Sequence, residues 1–126
     1  MNIKNFALTA LVSLIFWSCK TTVPVSALSR NEVKEIITQP ETTFVDVRIP
    51  AQFAENTVKG AVNIPLAEIT ENLEFFRKQS QTVVFCNSGR QANEAIELLR
   101  KNRITNVHTG VSVKNVDAVK AETKNK

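Results

Sequence analysis

Short β-rich runs alternate with helical stripes along most of this chain, through connections of only a few residues. That alternation limits the fold more than any other feature. Ser29-Arg30-Asn31-Glu32 has the spacing of a capping box, a hydroxyl and a carboxylate three apart that satisfy free backbone donors. Val33, Ile36 and Ile37 follow at helical spacing, and Pro40 closes the element. Thr43-Phe44-Val45-Asp46-Val47 reads as a buried strand, and Lys59–Pro65 as a short one bounded by Gly60 and Pro65. Leu66, Ile69, Leu73 and Phe76 form one helical stripe of core residues. Thr82-Val83-Val84-Phe85 is a third strand, and Ala92, Ala95, Ile96 and Leu99 form the next helix face. Asn106–Thr109 reads as a strand turned at Gly110, and Val113, Val116 and Val119 as a last helix before a polar tail. Strands and helices in this order imply an α/β fold, a parallel sheet covered by helices on both faces. In such sheets the reactive crevice lies at the carboxyl ends of the strands.

The start of the chain of 126 residues has a different character. Met1-Asn2-Ile3-Lys4 is a short positive head, followed by an uncharged apolar run from Phe6 to Trp17. A spanning helix needs roughly 20 apolar residues, so this run has the length of a signal-peptide core. It ends at Ser18-Cys19, which resembles a bacterial lipoprotein signal, although Trp17 stands where such signals usually carry a small residue. The expected organisation is a signal peptide over 1–18, Cys19 as the lipid attachment residue, and a tether over 19–27. One domain over 28–120 and a disordered tail over 121–126 complete it. The expected location is the bacterial cell envelope, lipid-anchored and facing the periplasm or the outside. A plain secretory signal or an uncleaved anchor are the alternatives.

About a hundred residues remain, enough for one domain with a single core. The net charge of +4 is mild, and much of it sits at Lys114, Lys120, Lys124 and Lys126, where charges are most often solvated. A nucleic-acid surface needs a clustered basic face with aromatics between, and tyrosine is missing altogether, so no nucleic-acid partner is expected. A monomer is expected. Cys19 and Cys86 are the only cysteines. With Cys19 lipidated, Cys86 is a lone thiol, a liability in an oxidising compartment unless buried or used.

Cys86 ends an apolar strand, a place where cysteine is more often an inert hydrophobe. Its neighbours point elsewhere. After Cys86 comes a tight turn, Asn87-Ser88-Gly89, then Arg90, Gln91 and a helix. The first amides of that helix have no intrahelical acceptor, and with the helix dipole they favour an anion. Gly89 lets the backbone curl enough to aim those amides inward. Cys86 is therefore the candidate nucleophile, and Asn87, Ser88, Gly89, Arg90 and Gln91 are the candidate substrate-binding residues.

Three pieces resemble the rhodanese family, in order and over about residues 28–111: Phe44-Val45-Asp46-Val47-Arg48, Gly60-Ala61-Val62-Asn63-Ile64-Pro65 and Val83-Val84-Phe85-Cys86-Asn87-Ser88-Gly89. The resemblance implies a five-stranded parallel sheet flanked by helices. It also implies transfer of a sulfane sulfur through a cysteine persulfide at Cys86, with thiosulfate and cyanide as the usual test donor and acceptor. No metal or organic cofactor is needed, and the expected partners are a small sulfur-containing anion or a thiol acceptor. The alternative within the family is an inefficient module that carries sulfur or docks a protein.

The sequence also departs from the family pattern. Arginine normally stands five residues after the cysteine, where this chain has Gln91, with Arg90 one place earlier. Asn56-Thr57-Val58 replaces glycine-histidine-isoleucine, and the paired glycines after the fourth strand are reduced to Thr109-Gly110. Asp46 and Arg48 read as a structural salt bridge that braces the loops. His108, the only histidine, makes a Cys-His dyad conceivable, although a lone histidine on a strand is more often packing or surface. With Cys19 lipidated, one cysteine and one histidine are available, too few for an ordinary zinc site. A cysteine phosphatase needs arginine six residues after the cysteine, where this chain has Ala92.

Overall fold

The structure, a computed structural model, describes residues 28–125. The signal, the lipid-attachment Cys19 and the tether expected over 1–27 lie outside the described residues. The chain enters through α1 (Arg30–Thr38). Its capping box forms as expected: Glu32 N donates to Ser29 Oγ at 3.3 Å, and Ser29 N donates to the Glu32 carboxylate at 2.7 Å. Next come β1 (Thr42–Asp46), α2 (Pro50–Glu55), β2 (Val62–Asn63), a 3-10 helix (Leu66–Asn72), α3 (Leu73–Arg77), β3 (Gln81–Cys86), α4 (Arg90–Lys101), β4 (Val107–Ser112) and α5 (Val113–Lys124).

All strand pairings are parallel, in the order β2-β1-β3-β4. Side chains alternate across a strand, so two apolar layers form. Phe44, Val83 and Phe85 face α1 and α5, packing with Ile37, Val113, Val116 and Val119. Val45, Val84 and Cys86 face the other way, against Ala92, Ala95, Ile96 and Leu99 of α4 and Ile69 and Phe76. β1 and β3 are the inner strands, and from β1 the chain passes first to β2 on one side and then to β3 on the other. The crevice of such a sheet opens where that reversal occurs. Arg48 leaves β1 there and Cys86 ends β3.

Several expectations are corrected. Among the described residues the sheet has four strands, not the five implied by the resemblance, because the chain enters through a helix and each β-rich run is used once. The strand expected over Lys59–Pro65 shrinks to Val62–Asn63. The chain turns at Gly60, whose φ is +82°, and proline has no N–H to extend the ladder. The Leu66–Phe76 stripe begins as a 3-10 helix, whose period of three sets Leu66 and Ile69 above one another. Pro50 at the first position opens α2, a helix that the apolar pattern did not indicate. The strand expected to turn at Gly110 instead runs on to Ser112. The tail expected to be disordered over 121–126 is helical to Lys124. There α5 is held by the ion pair from Lys34 to Glu122 at 2.7 Å and by Lys120 Nζ, 3.9 Å over the Phe44 ring.

Candidate active site

Cys86 is the last residue of the inner strand β3, 1% exposed, and its thiol is free. Its partner in register is Ser112, the last residue of β4. The chain then turns through Asn87 and Ser88, both exposed, into Gly89, which is buried and caps α4 with φ +93°. The turn from Cys86 brings the Gly89 amide back onto the sulfur, its N–H donating to Cys86 Sγ at 3.0 Å, and the left-handed conformation at Gly89 then leads the chain into α4. Such a bond strengthens when its acceptor is charged. The Cys86 S–H faces the Val111 carbonyl at 3.8 Å. A Cβ on Gly89 would meet Val111 Cγ1 at 3.2 Å, so glycine serves here both for its conformation and for its size.

Val111 itself is strained. Its φ is +66°, a region that β-branched residues rarely enter, and it lies at the irregularity in register between Val84 and Phe85. At the neighbouring Gly110, a Cβ would meet Val116 Cγ2 at 2.6 Å and Val83 Cγ1 at 2.8 Å. The two positions that demand glycine are thus 110 and 111, not Thr109-Gly110, and valine fills the second.

The wall beside the sulfur comes from β1. Asp46 is 0% exposed and Arg48 4%. Arg48 Nη2 donates to Asp46 Oδ2 at 2.6 Å, and Nε donates to both carboxylate oxygens at 2.9 and 3.1 Å. Thr57 Oγ1 and the Arg48 backbone N–H also donate to Asp46, at 2.9 and 3.0 Å. A buried pair offsets its desolvation only when its remaining polar atoms are satisfied, as they are here. Arg48 spends its other N–H groups on the Asn56 carbonyl (2.6 Å), Asn56 Oδ1 (3.4 Å) and Asn87 Oδ1 (3.1 Å). The pair is the expected brace, and it also reaches the loop after Cys86 through Asn87. Hydrogen bonding to Asp46 pushes the guanidinium above its ordinary range. Burial opposes this, while the charge of Asp46, then a Cys86 thiolate and Glu55, add to it. The departure at Asn56-Thr57 is absorbed by this network.

A cleft of about 400 Å³ lies over the sulfur. Of the sequence-derived candidates, Cys86 and Asn87 line it. Gly89 touches the sulfur from below, Ser88 and Arg90 are exposed outside the lining, and Gln91 is half-buried at the start of α4. His108 pairs with Val83, well down the sheet from the Cys86–Ser112 pair, so no Cys-His dyad forms. Ala92 is buried against the core. The sequence reading missed Gln52 and Glu55 of α2 and Lys114 and Asp117 of α5, all in the lining. Pro50 was the available signal for α2. Lys114 carried none, since a lysine after an apolar strand looks like any solvated charge.

Comparison with known proteins agrees with this arrangement. Residues 29–117 match the rhodanese-like domain family. The thiosulfate sulfurtransferase PspE of Escherichia coli is 36% identical over 75 residues, covering 58% of this chain and 72% of that protein. Among solved structures, a rhodanese with anions from E. coli superposes with a TM-score of 0.55 at 34% identity, covering 59% of this chain and 89% of that one. The human single-domain sulfurtransferase TSTD1 gives 0.54 at 23% identity over 66% of this chain and 86% of its own, a likeness of fold. On the strength of the family match across the sheet, the loop after Cys86 and the first turn of α5, this chain belongs to the rhodanese-like domain family.

Proposed function

We propose that this chain is a sulfurtransferase that carries a sulfane sulfur as a persulfide on Cys86. The observation that carries the reading is the free Cys86 sulfur on the floor of a cleft, with the Gly89 N–H donating to it at 3.0 Å. With thiosulfate as donor, the Cys86 thiolate attacks the outer sulfur. The new bond joins Cys86 Sγ to that sulfur, the bond to the sulfonate sulfur breaks, and sulfite leaves with its electron pair. The terminal persulfide sulfur bears the negative charge, which the cleft and the loop amides stabilise. A nucleophilic acceptor such as cyanide or a thiolate then takes the outer sulfur, and Cys86 returns as thiolate. A thiosulfate:cyanide assay tests this, together with the intact mass after donor alone. The parent should turn over and gain one sulfur atom. Cys86→Ser should do neither and keep the parent's circular dichroism, whereas full activity in that variant ends the proposal.

A second reading, a sulfur carrier or docking module with little turnover, draws on the exposed position of Arg90 outside the cleft. It predicts persulfide formation with negligible transfer to cyanide. The charged head, apolar run and Ser18-Cys19 junction support lipid anchoring in a bacterial envelope. The mature protein should begin at an acylated Cys19, and a native N-terminus after Ala27 would end that part of the reading.

A further inference from the structure

The cleft over Cys86 holds two cationic side chains, Arg48 and Lys114, and they are not equivalent. Every N–H of the Arg48 guanidinium is directed at Asp46, Asn56 or Asn87, and the Asp46 carboxylate cancels its charge at 2.6 Å. Arg48 therefore has no donor left for a ligand. Arg90 lies exposed outside the lining. Lys114 remains: it lines the cleft, is exposed, and among the described residues has no ion pair or hydrogen bond.

Its place on α5 strengthens the point. Lys114 sits in the first turn, where the dipole disfavours a cation, and that turn contains no acidic residue. α1, far from the cleft, shows the opposite and ordinary arrangement, with Glu32 in its first turn. Positive side chain and positive helix end thus add at the mouth of the cleft. Glu55 and Asp117 bring negative charge to the same lining. Lys114 is the cationic side chain of the lining that offsets them with its donors still free.

We infer that Lys114 is the specificity-determining residue that receives the anionic end of the sulfur donor, in place of an arginine in the reactive loop. This deepens the sulfurtransferase reading and rests on it. The donor class it fits carries its transferable sulfur beside a sulfonate or carboxylate, as thiosulfate does. The sulfur meets Cys86 while the acid group meets the Lys114 ammonium and the α5 amides.

The test compares alkylation of Cys86 by iodoacetate and by iodoacetamide, near-isosteric reagents that differ in charge, on the full chain with the modified peptide identified by mass. Lys114→Ala should lower the iodoacetate-to-iodoacetamide rate ratio about 3- to 10-fold, as expected for one partly exposed charge. Lys114→Arg should keep the ratio, Lys114→Glu should lower it further, and Glu55→Gln should raise it. In steady state, Lys114→Ala should raise the KM for thiosulfate by a similar factor with kcat little changed. An unchanged alkylation ratio in Lys114→Ala and Lys114→Glu overturns the inference, whatever the turnover. A lowered ratio in a protein that never transfers sulfur upholds Lys114 as the anion receptor and ends the sulfurtransferase reading instead.

Discussion

Replacing Val111 by glycine and by alanine should reverse the usual order of the two residues. In an ordinary strand or helix, glycine is less stabilising than alanine by about 0.5–1 kcal/mol, because the unfolded chain gains more freedom. At φ +66° the order inverts, since an L side chain there costs roughly 1–2 kcal/mol through the clash of Cβ with the following carbonyl. Both variants lose the two γ-methyls of the half-exposed valine, and alanine keeps only its Cβ, so the packing contribution largely cancels in the comparison. The difference left is relief of strain less the entropy of glycine, which leaves Val111→Gly more stable than Val111→Ala by up to about 1.5 kcal/mol. For a domain of this size that corresponds to roughly 4–8 °C in Tm per kcal/mol. Urea unfolding and thermal melts of both variants measure it. If Val111→Ala is the more stable of the two, the strain at 111 is not what the backbone implies, and the assignment of the glycine-demanding pair to 110 and 111 falls with it. Gly110→Ala is the internal control: with Val116 and Val83 side chains inside 3 Å of the new Cβ, it should destabilise where Val111→Gly does not.

The same geometry sets other expectations. Arg48→Met leaves the Asp46 carboxylate buried without its cation and should cost about 3–5 kcal/mol, read by denaturant unfolding, whereas Asp46→Leu with Arg48→Met should recover much of it; a fully additive double variant would argue against a coupled pair. Gly89→Ala should slow persulfide formation more than it destabilises the fold, because it disturbs the amide that donates to the sulfur; stopped-flow transfer set beside a melting curve separates the two effects. Burial, and to a lesser extent the Arg100 guanidinium, hold His108 below its ordinary pKa. The unfolded chain therefore binds the proton more readily. Stability should be complete above the unfolded value near 6.5 and should fall as pH drops through the folded value, with His108→Gln flattening the dependence. Adding a charge with Gln91→Arg should lower the KM for thiosulfate; an unchanged KM in steady-state kinetics would mean that this position does not meet the donor.

Much of this protein is legible in the order of its amino acids, for a local reason. The capping box at Ser29, the β-rich runs into Asp46 and Cys86, and the stripe of Ala92, Ala95, Ile96 and Leu99 are short-range patterns, fixed by the periods of strand and helix. Their alternation implies a parallel sheet, and a strand running into Cys86, a glycine turn and a helix start mark the candidate nucleophile. The resemblance in three ordered pieces supplied the family. The features hidden from the sequence depend on which segments meet across the sheet. Lys114, many residues from Cys86 in sequence, stands over it only because β4 pairs with β3 and ends at the same edge. Arg48 reads as a cation in the sequence, yet its burial beside Asp46 and its bonds to Asn56 and Asn87 leave it nothing for a ligand. The extension of α5 to Lys124 rests on contacts with α1 and with Phe44 of β1. Val111 takes its left-handed backbone from the irregular pairing of β4 with β3, which no local preference of valine favours. Periodicity determines the elements; the contacts between distant elements decide which charges are free to act.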